Sequence, residues 1–297
     1  MKFSTSVARS ALGLQALFAG LVVAQASGKF DVLTYNVAGL PAVINGNDEP
    51  GDKKTNARLI GAAMAKERFD IVHMQEDFNY HAYIYSTDTH PVRTPTSGGV
   101  PFGDGLNTLS NYNYTKFTRT TWKRCSLNSG DCLTPKGFSF MVIPTIGFEL
   151  HLYNLHSDAG DSDNDVASRS SDVDQVLAAI NAQSQGVPVI VAGDTNDRYT
   201  NAGVSITKFA QAGFKDPWVD LIKNGVYPTK GATADPCPNP APNNECEIVD
   251  KVLYRSGDSV TLTATSFNYV PQDFLQSNGS VLSDHNPVLV NFDWVKK

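Results

Sequence analysis

Four short polar segments stand at the ends of apolar runs: Thr34-Tyr35-Asn36, Gln75-Glu76-Asp77, Gly193-Asp194-Thr195-Asn196 and Ser283-Asp284-His285. Each run has the composition of a buried strand. A polar group in such a place is costly unless a hydrogen bond or a metal partners it. Four of them, scattered along the chain, predict one site assembled from strand tips. The donors are carboxylate and amide groups with one histidine. That set suits a hard divalent cation and a phosphate ester.

Glu76 and Asp194 carry the charge of the expected site. Mg²⁺ takes one or two protein carboxylates and keeps several waters, and Mn²⁺ or another divalent ion would accept the same donors. Such an ion polarises a phosphoryl oxygen and stabilises a departing one. Taken singly, either carboxylate reads equally well as a helix cap or a salt-bridge partner. Asn36 and Asn196 can donate to phosphate oxygens. Asn196 lies two residues after Asp194, so both can face one cleft.

His285 can accept a proton from an attacking water. It needs a carboxylate to hold its tautomer. Asp250, a charge inside the apolar stretch Ile248-Val249-Asp250-Lys251-Val252, is the candidate; the other reading is an edge position facing solvent. His156 follows the apolar run Phe148 to Leu155 and is a second candidate for acid or phosphate contact. Asp161 to Asp165 imitates the start of a calcium loop, but Val166 stands where glycine is required and Asp172 replaces the twelfth-position glutamate. An acidic loop capping the helix that follows is the expected reading. No G-x-S-x-G, P-loop or G-x-G-x-x-G is present.

Elements able to position these residues follow from periodicity. Strands are expected at Phe30 to Tyr35, Phe69 to Met74, Phe138 to Ile143, Phe148 to Leu155, Val187 to Ala192, Ile248 to Tyr254, Val260 to Phe267 and Val288 to Trp294, and Gly105 to Ser110 can resume strand structure after a long loop that opens at residue 86. Helices are expected at Asn56 to Lys66, Asp165 to Asn181 and Ile206 to Ala212. Residues 224–246, with five prolines and two cysteines, read as a second long loop. Early strands alternate with helices and later ones come in pairs. A four-layer α/β/β/α sandwich, two packed mixed sheets flanked by helices, fits this order best, with a doubly wound sheet as the alternative.

The first residues read as a leader. Lys2 and Arg9 precede the apolar run Ala11 to Val23, and Ala24-Gln25-Ala26 is an A-x-A cleavage site. Thirteen apolar residues fall short of a bilayer span, and no later stretch is apolar enough to form one. The expectation is a secreted, soluble, monomeric chain of one catalytic domain over residues 27–297. Without Lys2 and Arg9 the net charge moves from −6 to −8, which weakens a nucleic-acid reading. The cysteines fall as two close pairs, Cys125/Cys132 and Cys237/Cys246. Of three connectivities the two local ones are preferred, each contributing about 2–3 kcal/mol. A zinc site is disfavoured because no C-x-x-C spacing occurs. Asn113 and Asn278 are glycosylation acceptors by pattern.

In order along the chain, Tyr35-Asn36, Gln75-Glu76, Asn154-Leu155-His156, Gly193-Asp194-Thr195-Asn196, Val249-Asp250-Lys251-Val252 and Ser283-Asp284-His285-Asn286-Pro287-Val288 resemble the six motifs of the endonuclease/exonuclease/phosphatase (DNase I-like) superfamily, near its neutral sphingomyelinase and DNase I branches. The resemblance covers nearly all of the chain after the leader. It implies the four-layer sandwich and metal-assisted attack of water on a phosphodiester. It further implies Glu76 as main metal ligand with Asp284 and Asn36 assisting, Asp194 aligning the water, and Asn196 on the phosphate. His285, oriented by Asp250, would transfer a proton or touch the phosphate where Asp194 is the base. Lys136-Gly137 looks like a strand start of secreted members. The first substrate expectation is a phospholipid headgroup, the second extracellular nucleic acid. A non-catalytic protein on the same fold is third, and the presence of every motif argues against it.

Overall fold

Alternation along a strand decides what each face meets. In Ser27–Asn36 (β1), Phe30 and Val32 enter one core, while Leu33 and Tyr35 enter another. The computed structural model describes residue 1 and residues 26–43, 49–127, 130–144 and 146–297. Apart from Ala26, the expected leader and its cleavage site lie outside the described residues. Among those described, no helix is long and apolar enough to cross a membrane.

The remaining strands are Ile71–Gln75 (β2), Val92–Arg93 (β3), Asn107–Ser110 (β4), Lys116–Thr121 (β5), Gly137–Ile143 (β6), Leu150–His156 (β7), Val189–Asp194 (β8), Asp250–Arg255 (β9), Val260–Tyr269 (β10) and Val288–Lys296 (β11). They form a six-stranded sheet, β10-β11-β1-β2-β4-β3, and a five-stranded sheet, β5-β6-β7-β8-β9. Each sheet holds one parallel pair, β1/β2 and β7/β8. A parallel pair needs a crossover connection, supplied by the helices Lys53–Glu67 (α1) and Asp163–Gln183 (α3). The short helices His81–Tyr85 (α2) and Thr207–Gln211 (α4) add to the outer layers.

Three cores define the layers. Val32, Ile71, Leu152, Ile190, Val252 and Val290 meet between the sheets. Ile60 and Met64 of α1 pack on Leu33, Val72 and Met74. Val173, Val176 and Ile180 of α3 pack on Phe140, Tyr153 and Val191. The fold is the four-layer sandwich expected from the sequence.

Parallel pairing has a consequence for chemistry: the C-terminal ends of paired strands lie side by side. Asn36 aligns with Gln75, and His156 with Asp194. Antiparallel β9 starts opposite, with Asp250 against Asp194. Val288 opens β11 opposite Thr34, so Ser283 to His285 enter at the same end.

Several boundaries differ from expectation. Helix α3 starts at Asp163 because Ser162 is the cap: its side chain accepts from Asp165 N–H, and Asp165 returns a bond to Ser162 N–H. The calcium-like run is therefore a capping box. Strand β5 was not expected, since its sequence KFTRTT lacks an apolar face; it is the exposed edge of its sheet. Helix α2 and the helical turn Trp218–Ile222 are too short for periodicity to reveal. The local cysteine pairs, Cys125–Cys132 and Cys237–Cys246, are both disulfides. Asn113 and Asn278 are exposed.

Beside the start of α3, three carboxylates are buried together. Asp172 Oδ2 accepts from Asp158 N–H at 3.2 Å, Asp158 Oδ2 from Ser126 N–H at 2.6 Å, and Asp131 Oδ2 from Ala159 N–H at 2.9 Å. Burial, with repulsion from Asp158 and Asp131, outweighs the Asp158 amide and Lys136 and pushes Asp172 up to about 8. Native Asp172 then holds a proton that an unfolded carboxyl of ordinary value 3.8 releases. The group's penalty grows as pH rises from about 4 to about 8. Asp172→Asn should therefore melt higher than wild type by a few degrees near pH 8 and converge with it near pH 4, as read by thermal unfolding. Equal midpoints throughout would contradict this.

Candidate active site

Two backbone features aim the side chains. A Cβ on Gly193 would lie 2.0 Å from Leu155 O, so only glycine lets β8 pair closely with β7 and deliver Asp194 beside His156. Glu76 follows β2 in the left-handed region, φ 54°. Gln75 already faces the inter-sheet layer, and this turn keeps the next residue from pointing to the opposite face. Non-glycine residues held there carry strain that persists only where the surroundings impose it.

Asn36 is the hub from the first sheet. Its Nδ2 donates to Glu76 Oε1 at 3.2 Å and to Asp194 Oδ2 at 3.1 Å, and lies 3.4 Å from His285 Nε2. Its Oδ1 accepts from Ala38 N–H at 3.1 Å. Asp194 Oδ2 also lies 3.3 Å from His156 Nε2 and 3.7 Å from His285 Nε2. Asp194 Oδ1 accepts from Asn196 N–H at 2.9 Å. His285 Nδ1 is 2.8 Å from Asp250 Oδ2, so Asp250 is the carboxylate that orients this ring. Asp250 is buried at the start of the edge strand β9 and faces inward, not toward solvent. Asn196 Nδ2 donates to Ser157 O at 3.0 Å, which leaves one amide hydrogen for a ligand. Asp284 is exposed and lines the same pocket as His285, Asp250 and Asn196.

Below these groups a polar layer ties the sheets together. Gln75 Nε2 donates to Asn154 Oδ1 at 2.7 Å and to Thr34 Oγ1 at 3.1 Å. Asn154 Nδ2 donates to Met74 O at 3.0 Å and to Asn107 O at 3.1 Å. One carboxamide from the second sheet thus holds two backbone carbonyls of the first.

The environments of the charged groups diverge. Burial raises Glu76 above the ordinary carboxylate value, only partly countered by Lys136 and His285. Burial acts on Asp194 too, but His285, His156, Lys136 and the Asn196 amide together hold it below its ordinary value. Burial would lower His285, yet Asp250 and Asp194 outweigh it and raise the imidazole well above normal. Burial and Lys136 push His156 down to about 3. Lys136 Nζ sits 3.0 Å from His156 Nε2, which fits a neutral ring accepting there. The proton is then on Nδ1, which has no hydrogen-bond partner among the described residues.

Two groups fall outside the sequence expectations. Lys136, salt-bridged to Asp131, reaches the site from the start of β6; only its resemblance to a family strand start had marked it. Arg198 lines the pocket of His285 and Asn196, and its buried Nε lacks a hydrogen-bond partner among the described residues. An arginine in a loop carries no signal of its own.

The donors fit a divalent cation. Buried Glu76 Oε2 has no hydrogen-bond partner among the described residues, and leaving such an oxygen unpaired is expensive. Asp194, Asp250 and His285 also bring ligand atoms within 4.8 Å of one another. There, however, the imidazole already bridges the two carboxylates as their counter-charge. Glu76, with Asn36 and Asp284 beside it, is the better-suited holder.

The sequence profile of Endonuclease/Exonuclease/phosphatase family 2 matches residues 40–238. The chain belongs to this family. Curated proteins from Mycobacterium bovis and Mycobacterium tuberculosis, each called a sphingomyelinase, are 38% identical over 279 residues. That alignment covers 91% of this chain and 54% of each relative, so the chain spans about half their length. Among solved structures, D. rerio TDP2 complexed with single strand DNA product is similar at TM-score 0.67 and 18% identity, covering 89% of this chain and 98% of that one. Sphingomyelinase C from Streptomyces griseocarneus gives 0.61 and 19%, covering 89% and 99%. A beta toxin mutant from Staphylococcus aureus with bound magnesium ions gives 0.59 and 15%, with the same coverage. At these identities the structures establish the shared fold alone.

Calorimetric titration with Mg²⁺ checks the donor assignment. Glu76→Gln should weaken binding by about tenfold or more, Asp284→Asn by less, and Asp250→Asn hardly at all. An equal loss in Asp250→Asn and Glu76→Gln would move the ion to the Asp194–Asp250–His285 group.

Proposed function

We propose that this chain is an exported, divalent-metal-dependent phosphodiesterase that hydrolyses a phospholipid headgroup ester, with sphingomyelin the lead substrate and Mg²⁺ the lead ion. The observation that carries the reaction is the Asp194 carboxylate, held between Asn36, His156 and His285 beside the unpartnered oxygen of Glu76. The mycobacterial relatives support the lipid class. So does a cleft of about 660 Å³ with Glu76 and Lys136 on its polar side and Leu40, Phe78 and Pro101 on its apolar side. The A-x-A leader pattern and two disulfides support export.

The geometry supports the following roles. Asn36 and the Asn196 amide fix Asp194, whose oxygen would accept a hydrogen bond from water and align it with phosphorus. His285 Nδ1 is committed to Asp250, so Nε2 is the nitrogen facing the reaction and would pass a proton to the departing alkoxide. The second amide hydrogen of Asn196 and the Lys136 ammonium would meet non-bridging phosphate oxygens. A divalent ion held by Glu76, Asn36 and Asp284 would neutralise charge on the phosphoryl group. Arrangement before reaction matters here, because groups fixed by the fold need no reorganisation as charge develops.

Sphingomyelin, lysophospholipid, plasmid DNA and RNA offered in parallel would test this. Choline-phosphate release with Mg²⁺ and none with EDTA is expected. His285→Ala should lower the rate by about 10²–10⁴. Cleavage of DNA with no lipid turnover would replace the lipid reading by the nuclease one, and activity untouched by EDTA would refute the metal.

A further inference from the structure

We propose that the rim of this cleft docks on a phospholipid bilayer surface, with Phe102, Leu127 and Leu133 entering the interface and Lys123 and Arg124 meeting headgroup phosphates. The proposal rests on the phospholipid reading above and adds to it the surface by which the enzyme reaches its substrate.

Three large apolar side chains stand out in water on two neighbouring loops. Phe102 is 82% exposed, Leu127 76% and Leu133 64%. Single exposed apolar residues are ordinary; here Phe102 and Leu133 line one groove, and Leu127 lies between the two cysteines that line it too. Pro101, Phe102 and Leu133 line a groove of about 410 Å³. Pro101, Leu133 and Lys136 also line the cleft that contains Glu76. The groove therefore continues from the rim to the reacting groups.

The loops are pinned, so this exposure is built in. Cys125–Cys132 closes one loop, Ser126 N–H donates to Asp158 Oδ2 at 2.6 Å, and Asp131 is paired with Lys136. In the other, Ser97 Oγ donates to Asp104 Oδ1 at 2.8 Å, Asp104 N–H returns to Ser97 Oγ at 2.9 Å, and Phe102 N–H donates to Gly99 O at 2.8 Å. These contacts hold the backbone on both flanks of Phe102 and on the near side of Leu127.

Charge points to the same occupant. Lys123 and Arg124, next to the disulfide, are exposed and form no ion pair among the described residues. They make a local basic spot on a chain of net charge −6. A bilayer carries its phosphodiesters just outside an apolar zone. Exposed apolar side chains, basic groups adjacent in the chain and a groove that shares Pro101, Leu133 and Lys136 with the catalytic cleft supply the matching chemistry. A nucleic acid would meet the same basic spot but offers nothing for the aliphatic tips.

Flotation with phosphatidylcholine–sphingomyelin vesicles, compared with hydrolysis of soluble bis(p-nitrophenyl) phosphate, provides the test. Phe102→Ser combined with Leu127→Ser should weaken vesicle partition by about a hundredfold, roughly tenfold per side chain. kcat/KM on vesicles should fall in parallel, with soluble-diester hydrolysis within about twofold of wild type. Partition unchanged in the double variant would overturn the proposal. Leu127→Trp gives a folded-protein control: its added fluorescence should shift to the blue on mixing with vesicles, and no shift would also overturn it. A concentration-dependent dimer in sedimentation that the double variant abolishes would overturn it in favour of contact between copies. Vesicle binding can be read with pure phosphatidylcholine as well. Wild type that floats yet releases no headgroup would sink the sphingomyelin reading and leave the docking surface standing.

Discussion

A buried negative charge, the Asp194 carboxylate, is what the open end of this sandwich is built around. Moving a carboxylate out of water costs several kcal/mol. Hydrogen bonds to a charged group return about 1.5–3 kcal/mol each, so one donor does not suffice. Asn36 comes from the first sheet, the Asn196 amide from the turn after β8, and the His285 imidazole from the segment entering β11. Stabilising this one charge requires both sheets to end in the same place.

The same principle separates two carboxylates that look alike in sequence. Glu76 and Asp194 each end an apolar run; Asp194 is buried and Glu76 is half-buried. Asp194 is surrounded by cationic and amide donors and stays ionised. Glu76 has one amide donor and an oxygen with no partner, and burial dominates. A group in the first environment can accept a hydrogen bond from water. A group in the second invites a cation. Divergent environments of this kind mark division of labour in hydrolytic sites.

The polar layer under the site explains how the geometry is kept. Gln75 and Asn154 meet across the two sheets, and Asn154 also holds the carbonyls of Met74 and Asn107. Sliding one sheet over the other would strand all of these groups without partners. The layer therefore fixes the distance between Asn36 and Asp194 more firmly than apolar packing alone, which tolerates small shifts. The cleft at Glu76 is lined by apolar Leu40, Phe78 and Pro101 as well as by Asp131 and Lys136.

Much of this could be read from residues alone. Apolar runs placed Asn36, Asp194 and His156 at the tips of buried strands, and the order of islands along the chain resembles one superfamily. The helix after residue 162 was legible from its periodicity, but its start at Asp163 was not, because the Ser162 cap lies inside an acidic run that imitates a calcium loop. Strand β5 was not, because an edge strand with polar faces leaves no pattern. The contact of Lys136 with His156, the Gln75–Asn154 bridge and the Arg198 Nε without a partner among the described residues were invisible for another reason. They are defined by contacts between residues far apart in sequence, and no spacing encodes those. The sequence by itself determined which residues had to be buried at strand tips and what chemistry they could do. Only the tertiary structure decided that Asp250 would hold His285 and that the left-handed turn at Glu76 would keep that carboxylate beside Asn36. Register and backbone turns set partners through space, and a single step of either sends a side chain to the opposite face.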